Sequence, residues 1–125
     1  MRLLLDTHLL LWALAQPDKL SAATRKQITG AEVYISAASL WEISIKVGLG
    51  KLAADPDQIL DAIEPAGFML LPVTAEHAVK VAKLPALHKD PFDRMLAAQA
   101  SVEPMILLTN DEALRGYGSF VTIVR

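Results

Sequence analysis

Brief apolar runs alternate along this chain with segments whose apolar positions recur at helical spacing. Arg2–Leu5 predicts a buried strand, and Thr7–Ala15 a helix stopped near Pro17. A second helix is expected over Ser21–Thr29, with Ser21 as N-cap and Gly30 just past its end. Glu32–Ile35 reads as a strand and Ser39–Val47 as a helix, followed by a Gly-Leu-Gly turn. Asp57–Glu64 reads as a helix ending before Gly67, Phe68–Leu71 as a strand, and Thr74–Leu84 as a helix capped by Thr74. Asp90-Pro91 opens a strong helix reaching about Val102. Met105–Leu108 is strand-like, Glu112–Arg115 a short helix, and Phe120–Val124 the last strand. Strands separated by helices imply βαβ units, a parallel sheet and helices on both of its faces. Such sheets bind ligands beyond the carboxyl ends of their strands, where strand order reverses.

That rule directs attention to acids that follow strands. Asp6 comes one residue after Leu3-Leu4-Leu5, and Asp111 follows Met105–Leu108 across Thr109-Asn110. Glu42 lies in the helix after Val33-Tyr34-Ile35, and Asp90 and Asp93 open the helix before Met105–Leu108. Carboxylates held close together repel, and one takes up a proton unless a cation neutralises them. Mg²⁺ or Mn²⁺ prefers oxygen ligands, can generate a hydroxide nucleophile and can neutralise charge on a phosphodiester. Each acid also has a simpler reading. Asp6 can cap the helix starting at Thr7, Asp90 is an N-cap before Pro at the first helical position, and Asp93 complements the helix dipole. Asp111 can serve the last short helix in the same way, and Glu42 with Lys46 forms an ordinary i,i+4 surface pair.

Composition narrows the choices. The chain has 125 residues, 53% hydrophobic and 21% charged, which fits one domain over residues 1–125 with its own core. There is no internal repeat or low-complexity tract. The net charge of −2 excludes a strongly basic nucleic-acid coat. With no cysteine there is no disulfide framework, Cys-ligated zinc or thiol catalysis. The N-terminus imitates a signal peptide, with Arg2, leucines and Ala13-Leu14-Ala15, but Asp6 and His8 oppose insertion. Charge-free stretches are about half the roughly twenty residues of a membrane span, so a cytoplasmic protein without a membrane partner is expected.

Other side chains admit two readings each. Thr7 and Ser39 can hydrogen-bond the acids, although helix capping is the favoured role. Thr109 and Asn110 can orient Asp111 or simply form a turn. Arg94 can hold an acid or a phosphate, or form a structural ion pair. His8 and His88 resemble bases or ligands, but an all-carboxylate site requires neither, and His77 is expected on a solvated helix face. Trp12, Trp41 and Phe92 are expected in the core or a subunit contact, and Lys46, Lys51, Lys89 and Arg94 are candidates for an RNA-phosphate rim.

Four segments carry a family resemblance: Leu-Leu-Leu-Asp-Thr-His at 3–8, Ser-Leu-Trp-Glu-Ile at 39–43, His-Lys-Asp-Pro-Phe-Asp-Arg-Met-Leu-Ala-Ala-Gln-Ala at 88–100, and Leu-Leu-Thr-Asn-Asp at 107–111. In these the chain resembles PIN-domain ribonucleases, in particular the toxins of VapBC-type toxin–antitoxin modules, over essentially its whole length. The resemblance implies an α/β fold, a three-layer α/β/α sandwich with a central parallel sheet. It implies RNA cleavage with Mg²⁺ or Mn²⁺ held by Asp6, Glu42 and Asp93, with Asp111 as the fourth acid and Asp90 as an extra one that mainly caps its helix. It also implies a homodimer and a small antitoxin that blocks the site. Two alternatives stand beside it. One is a silent member of the fold that binds RNA or protein without cutting. The other is a phosphoryl-accepting receiver-like domain, disfavoured because Asp6 stands alone after the first strand and only Arg125 follows the last.

Overall fold

In the computed structural model, Leu3, Leu4 and Leu5 of strand β1 (Arg2–Leu5) are wholly buried. The model describes residues 1–124; Arg125, noted above after the last strand, lies outside them. Four further strands, β2 (Glu32–Ser36), β3 (Met69–Leu71), β4 (Ile106–Thr109) and β5 (Val121–Ile123), join β1 in one parallel sheet of order β3-β2-β1-β4-β5. The order reverses between β1 and β4, where Leu5 lies opposite Leu108. The chain therefore leaves both central strands at the same edge, and Asp6 and Asp111 leave with it. A receiver-like sheet runs 2-1-3-4-5 instead. The observed order overturns that alternative.

Among the described residues six α-helices connect the strands: α1 (Thr7–Ala15), α2 (Ala22–Thr29), α3 (Ala37–Gly48), α4 (Pro56–Ile63), α5 (Ala75–Val81) and α6 (Pro91–Val102). Pro17–Lys19 and Glu112–Tyr117 form short 3-10 helices. Side chains of a strand alternate between faces, and this divides the core in two. Leu3, Leu5, Val33 and Ile35 pack with Leu9, Ile28, Ile43 and Ile63 of α1 to α4. Leu4 and Leu107 pack on the opposite face with Leu96, Ala97 and Ala100 of α6 and Leu114 of the second 3-10 helix. The result is the expected three-layer sandwich. Each wholly buried leucine contributes about 1.5–3 kcal/mol of apolar transfer. No helix among the described residues is long and apolar enough to cross a membrane.

Three local departures from the sequence reading have clear causes. Helix α3 starts at Ala37 because Ser36, not Ser39, caps it, accepting the Ala38 N–H. Helix α5 ends at Val81 rather than Leu84, since the amides of Ala82, Lys83 and Leu84 reach back only three residues before Pro85 stops the turn. His77 is fully buried, not solvated. Its Nδ1 accepts the Thr74 N–H in a capping box, and its Nε2 meets Glu103 at the end of α6, which packs over α5.

Candidate metal site

Asp6 is the first residue past β1, where the chain turns directly into α1. Its Oδ1 accepts the Leu9 N–H at 2.8 Å, and its own N–H donates to Leu108 O at 3.0 Å. Asp6 therefore caps α1, yet it is only 3% exposed and stands at the reversal of strand order. Thr109, the last residue of β4, donates its hydroxyl to Asp6 Oδ2 and accepts the Asp111 N–H at 3.1 Å. One threonine thus ties together the acids that follow the two central strands.

Glu42 projects inward from α3 and is buried. Its Oε1 accepts the Thr7 hydroxyl at 2.7 Å, and Thr7 Oγ1 lies 3.0 Å from Ser39 Oγ. Thr7 therefore serves the acid, with Ser39 beside it, and neither caps a helix. Lys46 donates to Glu42 Oε2 at 2.7 Å, so the i,i+4 pair exists. It is not a surface pair, because only its lysine end reaches water.

Asp90 caps α6, accepting the amides of Phe92 at 2.8 Å and Asp93 at 3.2 Å. Pro91 at the first helical position fixes this start. Asp93 is thereby set in the first turn, with its Oδ2 3.3 Å from His88 Nε2. His88 Nε2 also lies 2.9 Å from Asp111 Oδ2, while Asp111 Oδ1 accepts the Ala113 N–H at 3.0 Å. His88, Asp93 and Asp111 bring possible ligand atoms within 4.8 Å of one another. Asp6 and Glu42 stand outside that tight group and act on Asp93 through space.

The charges of the group act on one another. Burial, then the charge of Asp90, push Asp93 up to about 7; His88 opposes them, and Asp6 and Glu42 add to the rise. Burial also raises Asp6, against the hydrogen bonds from Thr109 and Leu9. Asp111 moves down: burial opposes this, but the His88 hydrogen bond and the Ala113 amide prevail. His88 moves up through its bond to Asp111, with burial opposing and Asp93 helping. A pocket that leaves one of its own carboxyls partly protonated near neutral pH has room for more positive charge. A hard divalent cation supplies that charge and suits the oxygen donors present.

A family model described as PIN domain matches residues 3–119. The chain belongs to the PIN-domain family. This is a family of nucleases. No curated protein matches this PIN domain in sequence. Among solved structures, VapBC2 from Rickettsia felis bound to a DNA fragment from its promoter is similar at 16% identity and a TM-score of 0.73, covering 100% of both chains. DNA-bound VapBC from Salmonella typhimurium is similar at 16% identity and a TM-score of 0.69, covering 98% of this chain and 96% of that one. FitAcB from Neisseria gonorrhoeae is similar at 20% identity and a TM-score of 0.60, covering 98% and 96%. These likenesses show the PIN fold.

Other candidates are held by other contacts or lie exposed on the PIN domain. Arg94 donates to the carbonyls of Pro85 and Val81 and to the Tyr117 hydroxyl, none of them an acid. Asn110 is exposed, and its backbone amide, not its side chain, supports Asp6. Lys51 and Lys89 are exposed. Trp41 is 64% exposed and packs edge-to-face on Phe92 at 5.2 Å, so it is not a core residue. Trp12 packs against the core as expected. Sequence reasoning did not place His88 against the acids, where its Nε2 meets Asp111 and lies near Asp93. Its signal was present: it stands two residues before a helix-capping Asp-Pro pair.

Proposed function

We propose that this PIN domain is a metal-dependent endoribonuclease, the VapC-type toxin of a toxin–antitoxin pair, working in the cytoplasm. The observation that carries the reading is the pairing of buried Asp6 at the reversal of strand order with the His88, Asp93 and Asp111 group, in which burial, Asp90, Asp6 and Glu42 push Asp93 up to about 7. Asp6, Glu42 and Asp93 would hold Mg²⁺ or Mn²⁺, with Asp111 assisting directly or through water. When bound, the ion supplies Lewis-acid chemistry, activating water and neutralising charge that develops on the phosphodiester.

The protein's own residues prepare the site. Thr109 holds one oxygen of Asp6, and Thr7 holds one oxygen of Glu42. These donors fix the carboxylate orientations before a substrate arrives, which lowers the reorganisation needed in the reaction. Lys46, Lys51 and Lys89 are the proposed contacts for RNA phosphates. The solved VapBC and FitAcB structures support a small antitoxin as a partner, and a homodimer is part of the same proposal.

The test is cleavage of RNA by purified protein with Mn²⁺ and with EDTA, alongside Asp6→Asn and Asp93→Asn. Cleavage that needs Mn²⁺ and disappears in both variants is expected. Metal-dependent cleavage that persists in both refutes the assignment. RNA binding without cleavage would favour the silent-module alternative.

A further inference from the structure

His88 has no part in the proposal above, although it stands among the acids. Its Nε2 lies 2.9 Å from Asp111 Oδ2 and 3.3 Å from Asp93 Oδ2. By distance alone, His88, Asp93 and Asp111 make a metal triad. Proton counting gives a different answer. The Asp90 N–H donates to His88 Nδ1 at 3.0 Å, so Nδ1 presents a lone pair. With Nδ1 accepting, the ring proton that the structure places is on Nε2, facing the two carboxylates.

To ligate a metal through Nε2 as neutral imidazole, the ring would have to move that proton to Nδ1. It would then point at the Asp90 N–H, donor against donor. The Asp90 amide has little freedom to turn away, because the Asp90 side chain is bound to the Phe92 and Asp93 amides and Pro91 follows. The segment before His88 is also held, by Arg94 on the carbonyls of Val81 and Pro85.

We infer that His88 is a positioning residue and not a metal ligand: a fixed N–H donor that turns Asp111, beside Asp93, toward a shared cation. Asp111 is the acid that most needs it. Its side chain is 39% exposed, and apart from His88 its carboxylate is held by the Ala113 amide through the other oxygen. His88 thus does for Asp111 what Thr109 does for Asp6 and Thr7 does for Glu42. Donors of this kind set the orientation of metal-binding groups, and their loss weakens metal affinity by roughly 10–100-fold.

The inference rests on the metal-dependent reading, and the test separates the two. Mn²⁺ binding is measured by EPR titration on wild type, His88→Ala and His88→Gln, with thermal melts to confirm folding. Directly bound nitrogen is sought by electron spin-echo modulation. Wild type is expected to bind Mn²⁺ without the coupling of a ligated imidazole. His88→Ala should bind about 10-fold more weakly. His88→Gln, which places an amide N–H near the position of Nε2, should recover most of the affinity. A ligated-imidazole signal in wild type overturns the inference, as does a folded His88→Ala with wild-type affinity. No Mn²⁺ binding by wild type would overturn the metal-dependent reading and this inference with it.

Discussion

Replacing Asp93 with Asn should stabilise the metal-free protein while abolishing its activity. The folded-state pKa of Asp93 is about 7 against an ordinary 3.8, a rise of about three units. At 1.36 kcal/mol per unit this corresponds to about 4 kcal/mol of disfavoured charge as an upper bound. The side chain is 20% exposed, and solvent screening reduces the figure to about 1–2 kcal/mol. The sign follows from linkage. A carboxyl whose folded pKa is raised binds its proton more tightly in the folded state, so metal-free stability falls as pH rises from about 4 to 7 and levels off above. Asn does not titrate and keeps the size and shape of Asp. Asp93→Asn in EDTA at pH 8 should therefore melt about 3–8 °C above wild type, with the gap closing toward pH 4. Added Mn²⁺ should raise wild type, by about 2.7 kcal/mol at a hundred times Kd, and leave the variant nearly unmoved. Thermal melts across pH, with EDTA or Mn²⁺, read all of this. A variant less stable than wild type in EDTA at pH 8 would mean that His88 already compensates Asp93, and the charge-crowding argument would be refuted.

Asp6→Asn should keep the fold, since Asn caps helices as well as Asp, and should reduce RNA cleavage below detection in a gel assay with Mn²⁺. Glu42→Gln keeps an acceptor for the Thr7 hydroxyl but loses the charge, so cleavage should fall on the order of 10²-fold with circular dichroism unchanged. Thr109→Val removes the hydroxyl donor of buried Asp6 and should cost about 1–3 kcal/mol in urea unfolding, with Thr109→Ser restoring most of it. Arg94→Lys cannot reproduce the fork that binds Val81, Pro85 and Tyr117, and limited proteolysis should then cut between Val81 and Asp90 faster than in wild type.

Much of the fold was legible because its signals are local. Leu3-Leu4-Leu5 is too apolar for anything but a strand covered on both faces, and Ser21, Thr74 and Asp90-Pro91 mark helix starts by their own hydrogen-bonding chemistry. The position of Asp6 was legible because it directly follows the first strand, and in parallel sheets the crevice lies beyond the strand ends at the reversal of order. What sequence left open depended on partners distant in the chain. Thr7 and Thr109 look like turn or cap residues until β4 and α3 are brought against α1. His77 reads as solvated until α6 covers it. Arg94 beside Asp93 suggested an ion pair, but its long side chain reaches back to carbonyls of the preceding loop. The buried half of the Glu42–Lys46 pair was hidden for the same reason: i,i+4 spacing reports adjacency and says nothing about which end faces water.

The most direct measurement is anomalous scattering from a crystal of this protein grown or soaked with Mn²⁺. A manganese peak in the crevice beyond β1 and β4, with oxygens of Asp6 and Asp93 at coordination distance and Glu42 or Asp111 reaching it directly or through water, is the expected result. Manganese absent from that crevice at saturating concentration, or bound only at sites remote from Asp6 and Asp93, would contradict it.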